Sequence, residues 1–126
     1  VCFFTGDGGI QMTIQELGTI MQENLNVKII VLNNNFLGMV RQWQELFFNE
    51  RYSNTIMKNP DFVAIAKAFG IASRAVDKRE DLDEAIAEML NHDGAYMLVA
   101  NVETCGMVYP MVPAGGSVTN MILGDK

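Results

Sequence analysis

Two separated segments of the sequence carry residues suited to metal chemistry: Asp7 within Gly6-Asp7-Gly8-Gly9, and Asn34 within Asn33-Asn34-Asn35. A carboxylate and an amide carbonyl are hard oxygen donors, and neither segment holds a His or Cys to suit zinc or a softer metal. Two side chains are too few for a closed calcium cage. They suit Mg²⁺, which takes about six oxygens in octahedral geometry and completes its shell with phosphate and water. Gly8 and Gly9 let the backbone approach a phosphate closely, and a helix after them offers free N–H groups to an anion. The chemistry these residues can do together is to bind a diphosphate through a metal ion.

Both segments follow short apolar runs, Val1–Thr5 and Val27–Leu32, rich in β-branched residues and bounded by turn formers. Each run reads as a buried parallel strand. Between them, Thr13-Ile14-Gln15-Glu16 has the form of a capping box opening a helix, with Ile14, Leu17, Ile20 and Met21 on one face. A strand–helix–strand crossover is right-handed and sets its strands parallel. Asp7 and Asn34 then both lie just past the carboxyl end of a strand, where open α/β sheets bind ligands. If the strands are neighbours, their tips stand only ~5 Å apart, within reach of one cation.

Gly-Asp-Gly, then residues 9–32, then Asn-Asn resembles the metal-and-diphosphate motif of thiamine diphosphate-dependent enzymes. Leu37-Gly38-Met39-Val40-Arg41-Gln42-Trp43-Gln44, Arg51-Tyr52-Ser53, Asn59-Pro60-Asp61-Phe62 and Pro110-Met111-Val112-Pro113 narrow the likeness. They resemble the large, catalytic subunit of acetolactate synthase, over nearly all of this chain but only the C-terminal part of that enzyme. The resemblance implies thiamine diphosphate and Mg²⁺ as cofactors, with Gly6, Asp7, Gly8 and Gly9 at the diphosphate. It implies Asp7, Asn34 and the Phe36 main-chain carbonyl as metal ligands, with Gly38 permitting close approach of the cofactor. Met39 would contact the cofactor's pyrimidine region. Met39 and Trp43 would line the substrate channel, and Trp43 would influence the choice of second substrate. On spacing alone, Met39, Trp43 and Phe47 at i, i+4 and i+8 read instead as the core face of a helix. Where the family often carries Ser, Ala or another small residue, this chain has Gly9, so no hydroxyl reaches phosphate from there.

The implied reaction is a transfer. Pyruvate loses CO₂, and its two-carbon unit joins a second 2-oxo acid, pyruvate or 2-oxobutyrate, in branched-chain amino acid biosynthesis. In this family the glutamate that activates the cofactor comes from the N-terminal domain of a partner subunit, and no glutamate here matches it. No catalytic residue is therefore assigned to this chain, and alone it is expected to be inactive. FAD in the full-length enzyme, a homodimer or tetramer, and an association with a small regulatory subunit are further implications. Competing readings are another thiamine diphosphate enzyme (a 2-oxo acid decarboxylase, oxidase or glyoxylate carboligase), a nucleotide-binding or response-regulator-like module, and a non-catalytic doubly wound binding module.

Composition sets the frame. A chain of 126 residues is one domain's worth, taken as a single partial cofactor-binding domain over 1–126. A net charge of −6 argues against nucleic-acid partners, which are held by Lys and Arg, and would repel an anionic cofactor unless a cation mediates. No apolar run reaches the ~20 residues of a membrane helix. Cys2 reads as a small buried apolar residue, and two unpaired thiols, Cys2 and Cys105, suit a reducing, cytoplasmic setting. The sequence opens inside a hydrophobic strand that needs neighbours on both sides, so it reads as an N-terminally truncated piece of a longer polypeptide.

The remaining pattern predicts a helix from about Met39 to Phe48, with Arg41 and Gln42 turned to solvent or an interface. Asn59 reads as the N-cap of a helix buried through Phe62, Ile65, Ala66 and Phe69 and stopped by Gly70. A strand over 71–76, a helix with Leu82, Ala85, Ile86, Met89 and Leu90 inward, and a strand over 95–102 follow. The charge run 77–81 reads as a solvated helix start, and His92 as a structural residue at a helix end. The segment 110–116 reads as extended, 118–123 as a short helix, and Asp125-Lys126 as a natural terminus. The fold class expected is α/β: a doubly wound, Rossmann-like, mostly parallel sheet with helices on both faces.

Overall fold

The computed structural model describes residues 1–124; Asp125-Lys126, read above as a terminus, lie outside the described residues. Four strands, β1 (Cys2–Gly6), β2 (Lys28–Asn33), β3 (Ala72–Val76) and β4 (Tyr96–Asn101), form one sheet in the order β1-β2-β4-β3. All pairings are parallel, with Gly6 beside Leu32 and Asn33 beside Asn101 at the carboxyl edge. The helices are α1 (Asp7–Met12), α2 (Glu16–Gln22), α3 (Gly38–Phe47), α4 (Phe62–Ala68) and α5 (Leu82–Asn91).

Alternation along the central strands builds two cores. Ile29, Val31, Met97 and Val99 face α1, α2 and α4 through Ile10, Leu17, Phe62 and Ala66. Ile30, Tyr96 and Leu98 point the other way, onto Ala85 and Met89 of α5. Helices thus cover both faces of β2 and β4, which is why those strands read as continuous apolar runs. Lys28 is the exception: it is buried, and its Nζ donates at 2.6 Å to the carbonyls of both His92 and Gly94. Its two acceptors lie in the turn just past α5, whose C-cap is His92.

Five expectations change. β1 is not buried: it pairs only with β2, and Phe4 is 70% exposed, because no described helix covers its second face. Cys2 is accordingly exposed rather than a core residue, as is Cys105. The Thr13–Glu16 capping box does not form. The chain enters α1 directly at Asp7, and Thr13 closes that helix, its hydroxyl donating back to the Gly9 carbonyl at 3.4 Å, which removes it from capping α2. The cap of α4 is Asp61, whose Oδ1 accepts from Ala64 N at 3.0 Å, leaving Asn59 free for other partners. Finally, 118–123 is not a helix: Met111 and Ile122 pair as an antiparallel bridge that folds the tail back on itself. Gly70 does take the left-handed stop expected of it, with φ +69°.

Candidate cofactor site

Asp7 is the first residue of α1 and sits where β1 ends, 2% exposed. A buried carboxylate must be met by donors, and three are supplied. Its Oδ1 accepts from Gly8 N at 3.0 Å; its Oδ2 accepts from Asn35 N at 2.8 Å and Asn59 Nδ2 at 2.6 Å. Asn35 reaches it by adopting φ +57°, a left-handed conformation that Asn tolerates better than most residues. Asn34 Oδ1 accepts from Phe36 N at 3.1 Å, the local turn that Asn side chains favour. Among the described residues no donor is bonded to the Phe36 carbonyl. The tips of the adjacent strands β1 and β2 are thereby tied together through Asp7 and the loop 33–36.

Three glycines keep the site open. A Cβ on Gly9 would stand 2.7 Å from Thr5 Oγ1, so the β1 hydroxyl already fills the space a Ser or Ala side chain would need. A Cβ on Gly8 would press on Leu37 at 3.1 Å, and one on Gly38 would touch the Asn34 amide at 3.4 Å.

Gly6, Asp7, Gly8, Gly9, Asn34, Phe36, Gly38 and Met39 all line one open cleft of about 720 Å³ at the carboxyl edge of the sheet. Its far wall is Val102, Glu103 and Gly106–Val108, the segment leaving β4. Trp43 does not line this cleft. It lies in an adjoining depression with Gln44, Phe48 and Arg51, and Val40 belongs to both. Met39 is 49% exposed and Trp43 37%, so the helix face that spacing alone assigned to a core is open.

The buried residue of α3 is Gln42, against the expectation of a solvent or interface position. Its amide mimics a strand edge toward Val108, donating to the Val108 carbonyl at 2.9 Å and accepting from Val108 N at 2.8 Å. Arg41 is half-buried, stacked between Phe36 and Tyr52 and paired with Glu45 at 3.3 Å. Gln42→Leu is expected to cost about 2 kcal/mol, the loss of two hydrogen bonds made by a buried amide. A denaturant titration showing no loss would contradict this role for Gln42.

Asn59, Asn35 and Gln42 are site residues that pattern reading missed. Asn59 beside Pro60 looks like a helix cap, and Gln42 on a helix looks like surface. Only the polarity of a residue at a position the fold must bury could have pointed to them.

The donor set fits a hard divalent cation. Among the described residues no three His, Cys, Asp or Glu side chains gather, so what the strand tips offer is one carboxylate, one amide oxygen and one main-chain carbonyl. Among the described residues no Lys or Arg lines the cleft, whose ionisable side chains are Asp7 and Glu103. A bare diphosphate would be repelled there; a bridging cation reverses the sign of the field.

A parallel α/β domain whose glycine turn, buried carboxylate and amide loop meet over adjacent strand tips belongs to the class of cofactor-binding domains that use the carboxyl edge of the sheet. Residues 1–100 match the family described as thiamine pyrophosphate enzyme, C-terminal TPP binding domain, and the chain belongs to that family. It is 46% identical over 123 residues to the acetolactate synthase isozyme 2 large subunit of Escherichia coli K12, covering 97% of this chain and 22% of that protein. It is 45% identical over 121 residues to the mitochondrial acetolactate synthase of Schizosaccharomyces pombe, covering 96% of this chain and 18% of that one. The chain spans about a fifth of the length of these relatives. Among solved structures it resembles the benzoylformate decarboxylase of Polynucleobacter necessarius, with TM-score 0.77 and 27% identity over 86% of this chain and 20% of that one. The thiamine diphosphate-dependent 4-hydroxybenzoylformate decarboxylase of Rhodococcus jostii RHA1 gives TM-score 0.75 at the same identity and the same coverage.

Proposed function

We propose that this chain is the C-terminal cofactor-binding domain of an acetolactate synthase and holds thiamine diphosphate through Mg²⁺. The observation that carries the proposal is the convergence of the Asp7 carboxylate and the 33–36 loop in a cleft that no Lys or Arg among the described residues lines. Asp7, Asn34 and the Phe36 carbonyl are the metal ligands in this reading. Gly6, Gly8 and Gly9 give the diphosphate main chain without steric hindrance, while Gly38 and Met39 form the wall beside the rest of the cofactor. Bound thiamine diphosphate supplies a nucleophilic carbon and an electron sink for decarboxylating a 2-oxo acid. The domain's own part is to hold that cofactor rigidly and to shape what approaches it. Met39 and Val40 present apolar surface to the cleft, and Trp43 lies one helical turn on, in the depression that adjoins it through Val40.

Pyruvate is the proposed donor, and pyruvate or 2-oxobutyrate the acceptor, giving the precursors of branched-chain amino acids. The identity of 45–46% to acetolactate synthases, against 27% to the two decarboxylases, favours carbon–carbon bond formation over simple decarboxylation. FAD, a homodimer or tetramer, a small regulatory subunit and a cytoplasmic setting belong to the same proposal on resemblance alone.

The test is the product formed from pyruvate, Mg²⁺ and thiamine diphosphate by the intact polypeptide that carries this domain. Acetolactate is expected; acetaldehyde alone would instead assign a decarboxylase. With both acceptors supplied, Trp43→Leu is expected to change the 2-oxobutyrate-to-pyruvate preference by about tenfold, the scale on which one apolar contact discriminates. An unchanged preference would remove Trp43 from the channel.

A further inference from the structure

We propose that Asn59 is a positioning residue that fixes the Asp7 carboxylate for metal binding, oriented by a file of amides running along the carboxyl ends of all four strands. Asn59 can play this part only if the strand tips hold a metal-bound diphosphate, as proposed above. It lies in the segment between α3 and α4, remote in sequence from both halves of the glycine–aspartate and asparagine pair.

The direction of every amide in the file follows from its ends. Asp77, just past β3, can only accept, so the nitrogen of Asn101 at the end of β4 faces it, at 2.6 Å. The oxygen of Asn101 then faces Asn33, whose nitrogen donates to it at 2.7 Å. The oxygen of Asn33 faces Asn59, which donates to it at 2.7 Å. From the other side, Gln11 Nε2 donates both to the Asp7 main-chain carbonyl, at 3.2 Å, and to Asn59 Oδ1, at 2.9 Å. A main-chain carbonyl can only accept, so this end orients Asn59 in the same sense. Both anchors turn the Asn59 NH₂ group toward Asp7, where it donates to Oδ2 at 2.6 Å.

The consequence lies on the carboxylate. Oδ2 takes two donors, Asn59 and Asn35 N, while Oδ1 takes only Gly8 N. An oxygen with two hydrogen bonds has little capacity left for a cation, so Oδ1 is the metal-facing atom and Asp7 binds through one oxygen. Asn59 holds the carboxylate in the orientation that presents it. Partners that orient a metal ligand typically change metal affinity by about 10- to 100-fold when removed.

The experiment is calorimetric titration of Mg²⁺ into the intact enzyme at saturating thiamine diphosphate, alongside melting of the metal-free protein. Asn59→Ala is expected to weaken Mg²⁺ by about 10- to 100-fold, and the metal-free protein is expected to melt lower, since the buried Asp7 carboxylate loses one of its three donors. Gln11→Ala, which releases one anchor of the Asn59 amide, is expected to weaken Mg²⁺ in the same direction by a smaller factor. If the unaltered enzyme takes up no Mg²⁺ with thiamine diphosphate, the proposed cofactor site itself fails and the role of Asn59 with it. If it does, and Asp7→Ala abolishes uptake while Asn59→Ala and Gln11→Ala titrate like the unaltered enzyme, only the role of Asn59 is overturned. If Asn59→Ala does not fold, an unchanged Mg²⁺ affinity in Gln11→Ala overturns it equally.

Discussion

Asp7→Ala in the intact enzyme is expected to abolish Mg²⁺-dependent binding of thiamine diphosphate, a loss of more than about 100-fold in affinity. Removing the partners that orient a metal ligand already costs about 10- to 100-fold, and removing the ligand itself should exceed that. Among the described residues the cleft has no Lys or Arg to take over the diphosphate charge once the metal is lost. Asp7→Asn is no gentler in this geometry: three donors converge on the carboxylate, and an amide NH₂ would turn a fourth donor into them. Calorimetry with and without Mg²⁺ measures both variants. Undiminished Mg²⁺-dependent binding by Asp7→Ala would place the cofactor elsewhere.

The second large effect concerns this chain by itself. Purified residues 1–126 supplied with thiamine diphosphate, Mg²⁺ and pyruvate are expected to form no acetolactate above background. The ionisable side chains lining the cleft are Asp7, tied to three donors, and Glu103 on the far wall after β4. Neither matches the glutamate that the family resemblance assigns to the N-terminal domain of a partner subunit. The bare second face of β1, with Phe4 at 70% exposure, also leaves the edge carrying Asp7 without support on that side. Turnover by residues 1–126 alone, detected as acetolactate, would show that the domain carries its own activating group.

What could be read from residues alone was what depends on short-range chemistry. The runs Val27–Leu32 and Ala95–Val102 are β-branched and apolar enough to declare central strands, and Gly70 declares its left-handed stop. The adjacency of Asp7 and Asn34 at neighbouring strand tips was legible because each closely follows an apolar run. What was hidden depends on neighbours far along the chain. Cys2 and Phe4 have the apolar character of core residues, and only the place of β1 at the sheet edge leaves them exposed. Thr13 satisfies the local pattern of a cap yet spends its hydroxyl on the Gly9 carbonyl. Asn59 and Gln42 carry no local signature of their roles, because each is defined by partners that only the tertiary fold brings near: Asp7 and Asn33 for one, Val108 for the other.

The central claim is most directly tested by a crystal structure of the intact enzyme with Mg²⁺ and thiamine diphosphate. The account predicts one octahedral ion about 2.1 Å from Asp7 Oδ1, the Asn34 amide oxygen and the Phe36 carbonyl, with the diphosphate completing its shell. A diphosphate bound away from the tips of β1 and β2, or an ion held by other residues, would contradict it.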